Sequence, residues 1–155
     1  MKLLFLDIDG VLNHVHSYDQ LDHDCVVRLY DIIIQTGAKI VISSSWRWHK
    51  TIDVFKDYFR NEINVQRSHD YQDGVIDTIV NSMIGLTIDG IDLNMSRGDE
   101  IQHWLDNNSF DGKYAILDDI PGIIGENPNL FAISYKTGLT QDDVNAIIAH
   151  INKVN

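Results

Sequence analysis

Asp7-Ile8-Asp9-Gly10 places two carboxylates in a polar turn directly after the apolar run Leu3-Leu4-Phe5-Leu6. Aspartate is common in turns for backbone reasons, so this tetrapeptide alone carries little. A second pair, Asp118-Asp119, closes another apolar run, Tyr114-Ala115-Ile116-Leu117. Four carboxylates drawn together would repel one another unless a cation neutralised them. Hard oxygen donors of this kind suit magnesium or calcium, and an incompletely coordinated magnesium can also hold a phosphate oxygen. A phosphoryl group needs donors as well. Ser43-Ser44-Ser45 offers hydroxyls and N–H groups after a third apolar run, where serines could equally cap the next helix. Arg97, beside Gly98 at a helix start, offers a charge for phosphoryl oxygens; taken singly it reads as a solvated side chain.

The elements that must position these residues can be read from periodicity. Leu3 to Leu6 is a buried strand, and Lys39 to Ser43, with Ile40-Val41-Ile42 at its centre, is a second. Between them residues 22–36 follow a helical period, with Val26, Leu29 and Ile33 on one face, Asp22 to cap it and Gly37 to end it. Ile52, Phe55 and Phe59 predict a helix over about 49–60, and residues 61–82 show no clear period. Leu86-Thr87-Ile88 and Ile91-Asp92-Leu93, around Asp89-Gly90, predict a small hairpin. A helix starts near Ser96, which forms a capping box with Asp99 and turns Ile101, Trp104 and Leu105 inward. Tyr114 to Leu117 and Leu130 to Ile133 are further strands. The last helix starts at Thr140, boxed with Asp143, and carries the stripe Val144, Ile147, Ile148 and Ile151.

Short apolar strands alternating with helices predict an α/β fold, a three-layer Rossmann-like parallel sheet covered on both faces. Ligands in such sheets bind beyond the carboxyl ends of the strands. If the strands ending at Asp7, Ser43 and Asp118 lie side by side, the three polar clusters meet.

The 155 residues suit a single domain over 1–155, with 44% hydrophobic and 23% charged residues, an ordinary globular mix. Asp7 and Asp9 interrupt the apolar start too early for a signal peptide, and no stretch approaches a membrane span. Cys25 is the only cysteine, which excludes an internal disulfide and fits a reducing, cytoplasmic setting. A net charge of -11 disfavours nucleic-acid binding unless a local basic patch or bound metal offsets it.

Taken in order, Phe5-Leu6-Asp7-Ile8-Asp9-Gly10-Val11-Leu12, then Val41-Ile42-Ser43-Ser44, a basic residue at a helix start, and Ile116-Leu117-Asp118-Asp119 resemble the haloacid dehalogenase (HAD) superfamily over residues 3 to about 140. Ser44-Ser45-Trp46-Arg47, Arg97-Gly98-Asp99-Glu100-Ile101 and Thr137-Gly138-Leu139-Thr140 further resemble its small capless branch, the Swiss-army-knife HAD domains associated with RNA repair. The resemblance implies a magnesium-dependent phosphomonoester hydrolase working through an aspartyl-phosphate. Asp7 would be the nucleophile, and Asp9 would protonate the leaving oxygen and then activate water. Magnesium would sit on Asp7, the backbone carbonyl of Asp9, and Asp118 or Asp119. Ser44, or Ser43 one step away, would grip the phosphoryl group. The superfamily usually has Lys where this chain has Arg97, so Arg47 is a substitute candidate for that contact.

Only about a dozen residues separate the first motif from the next helix, enough for a flap over about 10–20 with Asn13, His14, His16 and Tyr18, but not for a cap domain. Residues 61–95 could add a small lid or hairpin. An open site would admit a nucleic-acid end or a protein phosphoresidue, whereas a flap with a lid would favour a nucleotide or small phosphoester. His14 and His16 read as flap residues rather than metal ligands, since no third ligand follows them. Trp46, Trp48 and Trp104 could stack on bases, although Trp104 lies on a helical core stripe. Two other classes compete: a phospho-accepting receiver, which Asp9 argues against, and a non-catalytic phosphate- or metal-binding module.

Overall fold

The computed structural model describes residues 1–17, 20–65, 71, 74–88 and 95–153. Five strands, β1 (Lys2–Leu6), β2 (Lys39–Ile42), β3 (Met83–Leu86), β4 (Lys113–Asp118) and β5 (Leu130–Ala132), form one sheet in the order β3-β2-β1-β4-β5. Every neighbouring pair is parallel. Among the described residues there are six α-helices: α1 (His23–Thr36), α2 (Ile52–Val65), α3 (Val75–Ser82), α4 (Arg97–Asn107), α5 (Pro121–Ile124) and α6 (Gln141–Asn152).

Successive residues of a strand face opposite sides of the sheet, and the central strands use that alternation to build two cores. Leu4 and Leu6 of β1, Ile40 and Ile42 of β2, and Ala115 and Leu117 of β4 pack with α1, α2, α3 and α6. Leu3 and Phe5, Val41 and Ile116 face the other way, against Ile101 and Leu105 of α4 and Ile124 of α5. Strands buried on both faces must be apolar throughout, which is why β1, β2 and β4 were legible as continuous apolar runs. Phe5 is wholly buried and meets Trp104 and Tyr114 edge-on, at ring-centroid distances of 5.6 and 5.8 Å. Burying such a side chain contributes roughly 2–3 kcal/mol. Trp104 is therefore a packing residue.

The predicted caps are present. Asp22 accepts a hydrogen bond from Cys25 N at 3.0 Å, and Gly37 ends α1 at φ +66°, donating to Ile33 O. Ser96 with Asp99 and Thr140 with Asp143 both form reciprocal capping boxes.

Between residues 43 and 95 the structure departs from the sequence reading. The second strand ends at Ile42, not Ser43, and α2 runs over Ile52–Val65 rather than 49–60. Residues 45–47 form a separate 3-10 turn. The unassigned stretch holds α3, whose buried Val75, Ile79 and Val80 are β-branched residues that period alone leaves ambiguous. Met83–Leu86 is an edge strand parallel to β2, and Leu86 ends it, whereas the sequence had read Leu86 to Ile88 as a hairpin arm. Its exposed Ile84 and its Gly85 weaken the local signal, so pairing with β2 decides the conformation. The predicted Asp89-Gly90 turn and its return arm lie outside the described residues, as does Tyr18 of the flap. No helix among the described residues is long and apolar enough to cross a membrane.

Candidate active site

The adjacency β2-β1-β4 brings the three polar strand ends together. The ladder runs one residue past each strand: Asp7 N donates to Leu117 O and Ser43 N to Leu6 O, both at 3.0 Å. Asp7, Ser43 and Asp118 are thus fixed by sheet hydrogen bonds rather than by loops.

Asp7, Asp118 and Asp119 each offer a carboxylate oxygen within 4.8 Å of the others. Asp118 is fully buried and Asp7 nearly so, at 3% exposure. Asp7 Oδ1 accepts from Ile8 N at 2.8 Å, and Asp118 Oδ1 accepts from Ile120 N at 2.8 Å. Their other oxygens share one cation. Arg97 Nη1 donates to Asp118 Oδ2 at 2.6 Å and also to Asp7 Oδ2. Burial pushes the Asp7 carboxyl above the usual range; Arg97 opposes the rise, Asp118 adds to it, and the Ser44 hydroxyl helps hold Asp7 charged. Asp119 is also raised, by burial and then by Asp7 and Asp118. For Arg97, burial works against the charge, but Asp7 and Asp118 outweigh it and raise the guanidinium. One guanidinium against three crowded carboxylates leaves negative charge in excess. The oxygen-only donor set and this excess fit a hard divalent cation.

Two glycines allow this convergence. Gly10 has φ +72°, and a Cβ there would lie 2.3 Å from Asp119 Oδ2, so only glycine lets the first turn close over that carboxylate. At Gly98 a Cβ would stand 2.2 Å from Ile124 O. The missing side chain lets the start of α4 approach α5, with Arg97 in its first turn.

Asp9 is brought near but not into the cluster. Its Oδ1 accepts from Asn13 Nδ2 at 2.8 Å and its Oδ2 from the Trp46 indole Nε1 at 2.9 Å. Of the two candidate serines, Ser44 turns its hydroxyl toward Asp7 and also accepts from Trp46 N. Ser43 Oγ is buried with no hydrogen-bond partner among the described residues. Arg47 is engaged elsewhere: its Nη1 donates to Ser43 O and Ser44 O, each at 2.7 Å, and its Nη2 to Glu100 Oε2 at 2.5 Å. Both members of that ion pair are buried. Thr87 Oγ1 donates to the same Glu100 oxygen at 3.2 Å. Arg47 thereby ties the serine turn to α4.

His14 Nε2 stands 3.5 Å from Asp22 Oδ2, and His16 is exposed. Among the described residues neither histidine belongs to a metal-ligand group. Sequence reasoning missed Glu100, Thr87 and the pairing of Asn13 and Trp46 with Asp9. Glu100 stood in the Arg97-Gly98-Asp99-Glu100-Ile101 motif beside the buried Ile101, the signals that could have given it a role.

A parallel three-layer sheet with acidic residues at adjacent strand ends defines a HAD-like α/β protein. A family model described as the HAD domain in Swiss Army Knife RNA repair proteins matches residues 3–144, and the chain belongs to that family. No curated protein and no solved structure matches it. The family points to phosphatase-type hydrolase chemistry on a phosphorylated substrate. HAD domains usually use a divalent metal, and the three aspartates could bind one.

Proposed function

We propose that the chain is a magnesium-dependent phosphomonoester hydrolase with Asp7 as nucleophile. The observation that carries the reading is the convergence of Asp7, Asp118 and Asp119 within 4.8 Å, with Arg97 bridging Asp7 and Asp118. Magnesium would be held by Asp7, Asp118 or Asp119, and the Asp9 carbonyl, and would supply charge that offsets the carboxylates and the phosphoryl oxygens. A carboxylate oxygen of Asp7 attacks phosphorus, and the bond from phosphorus to the ester oxygen breaks. The departing oxygen keeps the electron pair and takes a proton from Asp9. Water then attacks phosphorus, giving its proton to Asp9, and the phosphorus–Asp7 bond breaks to release inorganic phosphate. Arg97 and the Ser44 hydroxyl orient the phosphoryl oxygens. Arg47 acts through the serine turn, since its donors are committed to Glu100 and the two serine carbonyls.

The chain is read as one domain over 1–155 with a flap near 10–20, a minimal cap or none, and room for a small lid or hairpin within 61–95, working in the cytoplasm. Such a site accommodates a nucleotide, a nucleic-acid end or a small phosphoester, and the RNA-repair description of the family supports the nucleic-acid end. The test is hydrolysis of an aryl phosphate with magnesium and with EDTA, in the wild type and Asp7→Asn, followed by nucleotides and 5′- and 3′-phosphorylated oligonucleotides. Magnesium-dependent turnover that disappears in Asp7→Asn is expected. Silence of the wild type on every one of these substrates would leave a non-catalytic module and end the hydrolase reading.

A further inference from the structure

The proposed chemistry gives no role to Trp46, yet this side chain is held more firmly than a surface tryptophan needs to be. Its 3-10 turn is capped by Ser44 and tied down by Arg47. Lys50 Nζ donates to the Trp46 carbonyl at 2.8 Å and sits 4.7 Å above the Tyr58 ring. Tyr58 meets the Trp46 ring edge-on at 5.7 Å. The indole N–H is thereby aimed at Asp9 Oδ2.

The opposite oxygen of Asp9 is fixed as firmly. Gly10 N can only donate, so the Asn13 atom facing it at 2.7 Å is the amide oxygen, and the Asn13 NH2 must face Asp9 Oδ1. Asp9 is solvent-exposed, and an exposed carboxylate ordinarily samples several rotamers. Here each of its oxygens receives one neutral donor, and each keeps a lone pair free for the reaction.

We infer that Trp46, seconded by Asn13, is a positioning residue that acts through Asp9 and sets the direction of proton delivery to the leaving oxygen. The inference rests on the hydrolase reading and deepens it. In the first half-reaction the proton passes from Asp9 to the ester oxygen as its bond to phosphorus breaks. Misdirection of Asp9 penalises this step in proportion to how badly the leaving oxygen needs the proton. An alkyl alkoxide needs it, whereas a nitrophenolate departs well without it. Trp46 thus contributes through its N–H edge, a role distinct from stacking its face on a base.

The test compares kcat and KM of Trp46→Phe and the wild type at saturating magnesium, on p-nitrophenyl phosphate and on an alkyl phosphate. Phenylalanine keeps the ring but lacks the N–H. The expected result is a fall in kcat/KM of about tenfold or more on the alkyl ester and a clearly smaller fall on the aryl ester, since kcat/KM reports the leaving-group step and not the hydrolysis of the aspartyl-phosphate common to both. Trp46→His, which retains a ring N–H, restores part of the alkyl turnover. Equal losses of kcat/KM on both esters, or an unchanged kcat/KM on the alkyl ester, overturn the inference and leave the hydrolase standing. A wild type inactive on both esters, on nucleotides and on 5′- and 3′-phosphorylated oligonucleotides removes both. Independently of turnover, the indole N–H resonance that Trp46→Phe deletes must move upfield in Asp9→Ala. An unmoved resonance means that the contact is absent and the inference is wrong.

Discussion

At the scale of single residues, Gly10 lies so close to Asp119 that no side chain fits at position 10. Alanine at position 10 would face two penalties: a left-handed backbone, and a Cβ lying 2.3 Å from Asp119 Oδ2. The backbone term alone costs about 1–3 kcal/mol. The contact must also push Asp119 out of reach of Asp7 and Asp118. We expect Gly10→Ala to weaken magnesium binding by about tenfold or more, measured by calorimetric titration, with a matching loss of stability in a urea melt. Unchanged metal affinity would mean that Asp119 is not a ligand. The aspartates were legible in sequence because each ends a run whose burial on both faces makes it visible. Their immediate partners were not. The Trp46–Asp9 bond joins positions 37 apart, and no local period encodes such a pairing. The choice between Ser43 and Ser44 was equally invisible, because one residue step reverses which side of the strand a hydroxyl faces.

Among elements, the serine turn and α4 are coupled by the buried Arg47–Glu100 pair, whose members lie 53 positions apart. Removing one partner of a buried pair strands the other charge and typically costs about 3–5 kcal/mol. Glu100→Ala is therefore expected to lose that much in denaturant unfolding and to lower turnover by loosening Ser44. Glu100→Gln, which keeps an acceptor for Arg47, loses less. A loss below about 1 kcal/mol in Glu100→Ala would place this pair with ordinary surface ion pairs. Element boundaries were legible wherever a side chain announced them, as Asp22, Ser96, Thr140 and Gly37 do. They were obscure between 43 and 86, where β-branched residues suit helix and strand alike. There, neighbouring strands supply the decision, and β3 exists because β2 offers it an edge.

For the whole molecule, a net charge of -11 and an acidic cluster at the carboxyl ends of the central strands tie stability to pH and, under the proposed function, to metal. Asp7 and Asp119 titrate above the usual carboxylate range in the metal-free fold. Their protonated forms favour folding, so this contribution is complete below the ordinary carboxylate pKa and is lost as pH rises through the raised values. The proposed magnesium would bind the ionised forms and so have the opposite dependence. At a magnesium concentration about 100 times Kd, the gain is about 2.7 kcal/mol, a rise in Tm of roughly 5–10 °C for a domain of this size. Thermal melts near neutral pH should show that rise, and it should fade toward about pH 4 as protons displace the metal. An equal shift at both pH values would mean that the metal binds away from these carboxylates.

The alternation of β1, β2 and β4 between two cores has a consequence for which molecules in a population can be active. Shifting any of these strands by one residue would exchange its two apolar sets and carry its terminal polar residue about 3.3 Å along the sheet. The mispaired chain would lose both cores in the same event that separates Asp7 from Asp118. Registers that break the aspartate cluster are therefore unstable registers, and the gap that selects the fold also clears the population of chains with a dismantled site.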